Sequence, residues 1–328
     1  MKADSYGKEF LKKIARPLIA VVLLILLFKT GLIKIDQLKS SITNPSVMLL
    51  GFFMIGIQYF FFAARWKIIV DFYKVISYFK ILKLNLISQF FNLFIPGGVG
   101  GDVVKALELS SSEKIPKQQT LASIVIDRVF GLYCMILFST IFLLIEINAH
   151  ESIKKYFLTS FAMLIVATLG LVFLEKIILT IKKISKKTQS VFILKIIDLL
   201  ETIRLGFKSV STFKSMVKII LLSFIAQIFA ITFIYYGVVI TGDVHTPSIV
   251  LFFPLACFAF MASSIPLTPG GIGFGQAAFY FIFSIFSTQV AESVVIGVSL
   301  MQLFNILFSL PGVYFFTKIP KHTKTVTK

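Results

Sequence analysis

Cysteine and histidine are nearly absent. Two cysteines and three histidines in 328 residues leave little material for a metal centre or a disulfide framework. Cys134 and Cys257 both lie in apolar runs, where a thiol packs as a small hydrophobe. His150, His245 and His322 are too dispersed to gather around one ion. No Walker A loop, nucleophile elbow or dinucleotide fingerprint occurs. Residues 270–275 contain a Gly-x-Gly pattern, but no strand–helix unit surrounds it. No cofactor is expected, and any transport would be passive or gradient-driven rather than powered by ATP.

Charge is scarce too, and acid scarcest. Charged residues make up 15% of the chain, with 15 Asp+Glu against 33 Lys+Arg and a net charge of +18. A soluble domain carries about 25% charged residues; this chain is instead 57% hydrophobic with a mean hydropathy of +0.92. The basic residues are scattered among helix ends, which fits the positive-inside bias and contact with anionic lipid, and excludes a nucleic-acid partner. The apolar runs are continuous rather than alternating, so a barrel is disfavoured. No loop is long enough for a soluble domain. The expected fold is an all-α polytopic membrane protein, one domain over residues 1–328.

About 20 apolar residues span the hydrocarbon core. Six full spans are expected: Ile14–Ile33, Pro45–Ala64, Leu121–Ile147, Tyr156–Leu174, Val217–Ile240 and Val290–Phe316. The first is too long for a secretory leader and lacks a small-residue cleavage site. Trp66 sits where an interfacial belt residue belongs. Ile68–Lys83, with Asp71, Lys74 and Tyr78 on one side, reads as an interfacial amphipathic helix, and Ser110–Gln119 as a polar loop. Between the halves 14–174 and 217–316 lies a segment, 175–216, rich in Lys and Arg. Ile193, Ile196, Leu200, Ile203, Phe207 and Val210 recur there at helical spacing. It is expected to be a basic amphipathic helical linker on the cytoplasmic membrane surface.

Two segments interrupt this pattern, Phe94–Asp102 and Pro266–Gln276. Each packs four glycines and one or two prolines between apolar stretches. Broken helix at membrane depth is tolerated only where protein or a polar cavity covers the freed backbone, and a matched pair of breaks points to a transporter's binding site. Each break is expected to form the tip of a re-entrant helical hairpin. The distribution of Lys and Arg gives N-in and C-in, although Lys29, Lys34 and Lys39 fall in the presumed outer loop. The hairpins then enter from opposite faces, as a candidate inverted repeat.

The candidate substrate-binding residues follow from these breaks. Pro96, Gly97, Gly98 and Gly101 in the first, with Pro269, Gly270, Gly271 and Gly273 in the second, expose backbone N–H and C=O groups. Asp102 and Gln276 open the helices that restart after each break, where N–H groups favour anions. Lys105 shares a face with Asp102 and Glu108. Asp127 and Arg128 lie just inside a span, either as a structural ion pair or along a polar route for a headgroup. Arg128 and Lys105 are the preferred phosphate partners. Asn92, Gln89, Gln302 and Asn305 supply neutral polar groups. The competing reading is that the glycines merely let helices cross closely.

Three ordered motifs carry a family resemblance: Asn92–Asp102, Ile126-Asp-Arg-Val-Phe-Gly131 and Ser264–Gly273. They resemble the flippase-like domain family, which includes the transmembrane flippase half of bacterial lysyl-phosphatidylglycerol synthase/flippase proteins and stand-alone relatives. The resemblance runs from about Ile14 to Phe316. It implies a helical bundle with re-entrant elements that moves lipid between leaflets of the cell membrane, in some settings within glycolipid or envelope-polysaccharide pathways. The expected partners are membrane lipids, an anionic phospholipid or a lipid-linked glycan, with envelope-biosynthesis enzymes as possible associates. The aminoacyl-transferring synthase is a separate soluble domain in that family, so an enzyme is not expected here. Two alternatives stay open: an integral-membrane lipid-linked glycosyltransferase or phosphatase, for which Asp102 and Asp127 are the available acids, and an accessory subunit docking through the linker.

Overall fold

The computed structural model describes residues 39, 42–94, 100–148, 151–184, 191–240, 247–265 and 267–318. The expected span Ile14–Ile33, most of the first break with Pro96, Gly97 and Gly98, and the loop at 241–246 lie outside the described residues. The described residues form ten α-helices and no strand: α1 (Pro45–Val70), α2 (Tyr78–Phe94), α3 (Gly100–Glu113), α4 (Lys117–Ile145), α5 (Glu151–Ile184), α6 (Val191–Val210), α7 (Phe213–Ile240), α8 (Ile249–Ser263), α9 (Phe274–Phe283) and α10 (Thr288–Thr317). A single 3-10 turn, Pro269–Gly271, lies between α8 and α9. Five of the helices, α1, α4, α5, α7 and α10, are long and apolar enough to cross a membrane.

Several sequence expectations change. No amphipathic helix spans Ile68–Lys83. Helix α1 runs on through Arg65, Trp66 and Lys67 to Val70, the chain turns at 71–77, and α2 starts at Tyr78. The polar stripe belongs to that turn: Asp71 pairs with Lys67 and accepts from Ile76 N at 3.1 Å, while Tyr78 OH donates to the Phe60 carbonyl at 2.8 Å. Trp66 is no belt residue. It is fully buried, and its Nε1 donates to Ser123 Oγ at 3.2 Å. Ser110–Gln119 is mostly helix, because α3 continues to Glu113 and α4 begins at Lys117. Glu113 holds α3 to the 71–80 region through Lys74 at 2.8 Å and Lys80 at 2.5 Å.

Of the expected basic linker, residues 185–190 lie outside the described residues; the rest is the end of α5, α6 and the start of α7, and the later part of its apolar stripe is seated on the bundle. Ile203, Phe207 and Val210 are buried against Ile69, Ala122, Ile126 and Phe130, with Phe207 stacked on Phe130 at 5.1 Å. Arg204 ties the outer face together by pairing with Glu201 at 2.7 Å and Glu175 at 2.5 Å. Its hydrogen bond holds the Glu201 carboxyl below the ordinary range.

The remaining eight helices pack in a reciprocal pattern. Helix α1 lies along α7; α2 packs on α10 and α8 on α4; α3 packs on α2 and α4, as α9 does on α8 and α10. Exchanging α1–α4 for α7–α10 maps the α1–α7 pairing onto itself and each of the others onto another. Thus the first helix of each broken pair, α2 or α8, packs mainly on a long helix of the opposite half, whereas the second, α3 or α9, packs on a long helix of its own half. Close crossings use small residues, as in membranes generally. A Cβ on Gly312 of α10 would stand 2.3 Å from the Leu86 carbonyl oxygen of α2, and one on Gly237 of α7 would stand 3.0 Å from Gly297 Cα of α10.

Candidate functional site

The first joint is charged. Gly101 lets the first turn of α3 lie directly on α2, and Asn92 Oδ1 accepts from Gly101 N at 2.9 Å, satisfying one of the N–H groups a helix start leaves open. One residue on, Asp102 Oδ2 accepts from Arg128 Nε at 2.7 Å and also meets its Nη2. Asp102 Oδ1 accepts from Ser88 Oγ at 3.0 Å and lies 3.4 Å from Lys105 Nζ. Lys105 also donates to Asn85 Oδ1 at 3.0 Å and sits 4.1 Å over the Trp66 ring. A second ion pair crosses between α1 and α4. Arg65 Nε and Nη2 grip both oxygens of Asp127 at 2.8 and 3.0 Å, while Nη1 donates to Ser223 Oγ of α7 at 3.2 Å.

The second joint is its neutral counterpart. Gly270, Gly271 and Gly273 have φ of 61°, 70° and 81°, a conformation that costs other residues. Gln276 Oε1 accepts from Gly273 N at 2.8 Å, and its Nε2 donates to Gln302 Oε1 of α10 at 2.6 Å. Gln302 Nε2 in turn donates to the Gly271 carbonyl at 3.2 Å. Where α3 meets α4 through Asp102 and Arg128, α9 therefore meets α10 through Gln276 and Gln302.

The joints face one another across a cavity of about 420 Å³. Arg128, Gln89 and Asn92 line it from the first half, and Thr268, Gly270, Gly271, Gln302 and Asn305 from the second. A smaller cavity of about 200 Å³ adjoins it, shares Gln89, Asn92 and Arg128, and is lined by both ion pairs. The second break reaches the end of α2, since a Cβ on Gly270 would meet Leu93 Cδ2 at 2.9 Å.

Of the residues singled out from sequence, Asn92, Arg128, Gly270 and Gly271 line the larger cavity, together with the neutral Gln89, Gln302 and Asn305. Asp102, Asp127 and Lys105 line only the smaller one, all three engaged by protein partners. Lys105 is 6% exposed and acts as a buried brace for α3 rather than as an open phosphate partner. Gly101, Gly273 and Gln276 shape the helix starts, and Pro269 opens the 3-10 turn. Sequence reasoning missed Arg65, Ser88, Asn85, Trp66 and Ser223. The signal for Arg65 was the apolar Ile68-Ile69-Val70 that follows it, which carries the helix past the charge.

Comparison with known proteins identifies the family. Residues 13–311 match the family described as Lysylphosphatidylglycerol synthase TM region. A UPF0104 membrane protein of Methanocaldococcus jannaschii is 26% identical over 296 residues, 83% of each chain. No solved structure matches. Long apolar helices and a match over nearly the whole length lead to one conclusion: the chain is a multi-pass membrane protein belonging to the lysylphosphatidylglycerol synthase transmembrane-region family.

Proposed function

We propose that this chain is a flippase or transporter of the cell membrane, passing the headgroup of a phospholipid or lipid-linked glycan between leaflets while the acyl or prenyl tails stay in the bilayer. The observation that carries this reading is the polar cavity lined jointly by Arg128 and the second glycine-rich break, inside a bundle of long apolar helices. Ionisable residues at such depth mark substrate routes, and broken helices meeting at one cavity are the usual construction of a transporter site. In this reading α2–α3 and α8–α9 are re-entrant hairpins entering from opposite faces, six spans including Ile14–Ile33 surround them, both termini are cytoplasmic, and the reciprocal packing reflects an inverted repeat. An enzymatic reading is less well supported, because Asp102 and Asp127 are both occupied by arginines, which leaves neither of these two carboxylates free for acid–base work.

Reconstitution into vesicles tests the proposal by following a labelled lipid's access to an impermeant quencher. Arg128→Ala is expected to slow protein-dependent movement about ten-fold or more, the loss of one charge-assisted contact. It should still elute as a monodisperse protein, since Ser88 and Lys105 continue to hold Asp102. An unchanged rate would remove Arg128 from the route. Topology is tested separately: a cysteine at Asp243 should react with an impermeant thiol reagent added outside cells, and one at Lys208 should not. Both native cysteines are buried.

A further inference from the structure

We propose that the headgroup this cavity accepts is an uncharged polyhydroxyl group, a sugar or polyol, joined through a phosphodiester, and not an aminoacylated cationic one. This rests on the lipid-transport reading above and names the substrate class of the same site.

The wall of the larger cavity carries the argument. Its polar lining includes four carboxamides, Gln89, Asn92, Gln302 and Asn305. Three are oriented by protein partners that take the carbonyl oxygen. Asn92 Oδ1 accepts from Gly101 N at 2.9 Å, Asn305 Oδ1 from Tyr59 OH at 3.1 Å, and Gln302 Oε1 from Gln276 Nε2 at 2.6 Å. Fixing the oxygen fixes the amide plane, so the NH₂ ends of Asn92 and Asn305 serve as donors at defined places, and Gln302, which gives one N–H to the Gly271 carbonyl, keeps the other. Thr268 is 1% exposed, its Oγ1 lacks a hydrogen-bond partner, and it lines the same cavity. A buried hydroxyl without a partner is costly, and a polar group brought to it would be stabilising. Ser263 and Ser264 add hydroxyls to the lining. Sugar and polyol hydroxyls each donate and accept, which matches amides and hydroxyls group for group.

Charge gives the rest. Among the described residues no aspartate or glutamate lines this cavity, and residues 95–99 contain none. The nearby carboxylates are committed: Asp127 gives both oxygens to Arg65, and Asp102 is shared among Arg128, Ser88 and Lys105. An ammonium group entering here would be desolvated without a counter-charge, or would have to displace an arginine from its carboxylate. Arg128, by contrast, has a side chain 47% exposed and lines both cavities, which suits the phosphodiester. The volume of about 420 Å³ lies within the range of about 300–1,000 Å³ usual for small-ligand sites.

The test is a comparison of transbilayer rates in vesicles containing the wild-type protein. Three labelled lipids are compared: a polyprenyl-phosphate sugar, phosphatidylinositol and lysyl-phosphatidylglycerol. The first, the second or both should move about ten-fold or more faster than the lysyl lipid, because a site of fixed hydrogen-bonding groups rejects a mismatched headgroup strongly. Which of the two moves identifies the tail, prenyl or diacyl. Movement of lysyl-phosphatidylglycerol as fast as or faster than both would overturn this inference and leave the transport reading standing. No movement of any of the three above protein-free vesicles would overturn both.

Discussion

Asp127→Ala should destabilise the bundle by about 3–5 kcal/mol, the cost of leaving a buried charge without its partner. Arg65 is the charge left behind. Its side chain is 9% exposed and has Asp127 as its carboxylate, with Ser223 as a neutral second acceptor. Because Arg65 lies on α1, Asp127 on α4 and Ser223 on α7, the loss falls where three long helices converge. The expected readout is a large drop in melting temperature in detergent, with much of the protein lost to aggregation. The double replacement Arg65→Leu with Asp127→Leu should recover most of that loss, since a buried ion pair exchanged for packed apolar groups is often neutral or better. The double-mutant cycle separates roles: strong coupling marks a structural pair. If Asp127→Ala folds normally and loses only transport, Asp127 is a ligand contact instead, and the assignment of the headgroup to an uncharged class loses one of its supports.

Gly101→Ala should be as damaging by a different route. A Cβ there would stand 1.8 Å from the Ser88 carbonyl oxygen, 2.7 Å from its carbon and 2.8 Å from Asn92 Oδ1. The first two are backbone atoms, so no rotamer change relieves the overlap and α3 must move off α2. The expected cost exceeds the about 1–3 kcal/mol typical of an overpacked core. It should also remove the cap on Gly101 N and shift Asp102 from Arg128. Gly170→Ala is the matched control. It lies in the interior of α5 with nothing within 4 Å of the added carbon, so it should leave stability unchanged or raise it by about 0.5–1 kcal/mol. Equal behaviour of the two variants in thermal unfolding would show that α2 and α3 are not in the close contact described.

What could be read in advance divides along physical lines. Apolar length marked the long helices, since α1, α5, α7 and α10 each contain an expected span and α4 holds all but the last two residues of Leu121–Ile147, and glycine with proline marked the second break. The ends were less legible. Trp66 and Arg65 looked interfacial because composition turns polar there, whereas an ion pair and a cation–π contact supplied by other helices let α1 continue buried. The basic linker was legible as an amphipathic helix, but not its seat, because an apolar stripe is the same whether it meets lipid or Phe130. Arg128 and Gln302 were visible as residues. That they occupy matching joints depended on tertiary packing, which no local spacing encodes.

The reciprocal packing of the two halves bears on how the protein is made. Domains emerge from the ribosome N-terminus first. Helix α8 finds its main partner, α4, already synthesised, whereas α2 must wait for α10, the last helix among the described residues. Between those moments the face of α2 that will receive Gly312 lacks its partner helix. Symmetry in space becomes asymmetry in time, and a chain stopped short of Thr288 holds α2 without the helix it packs on most.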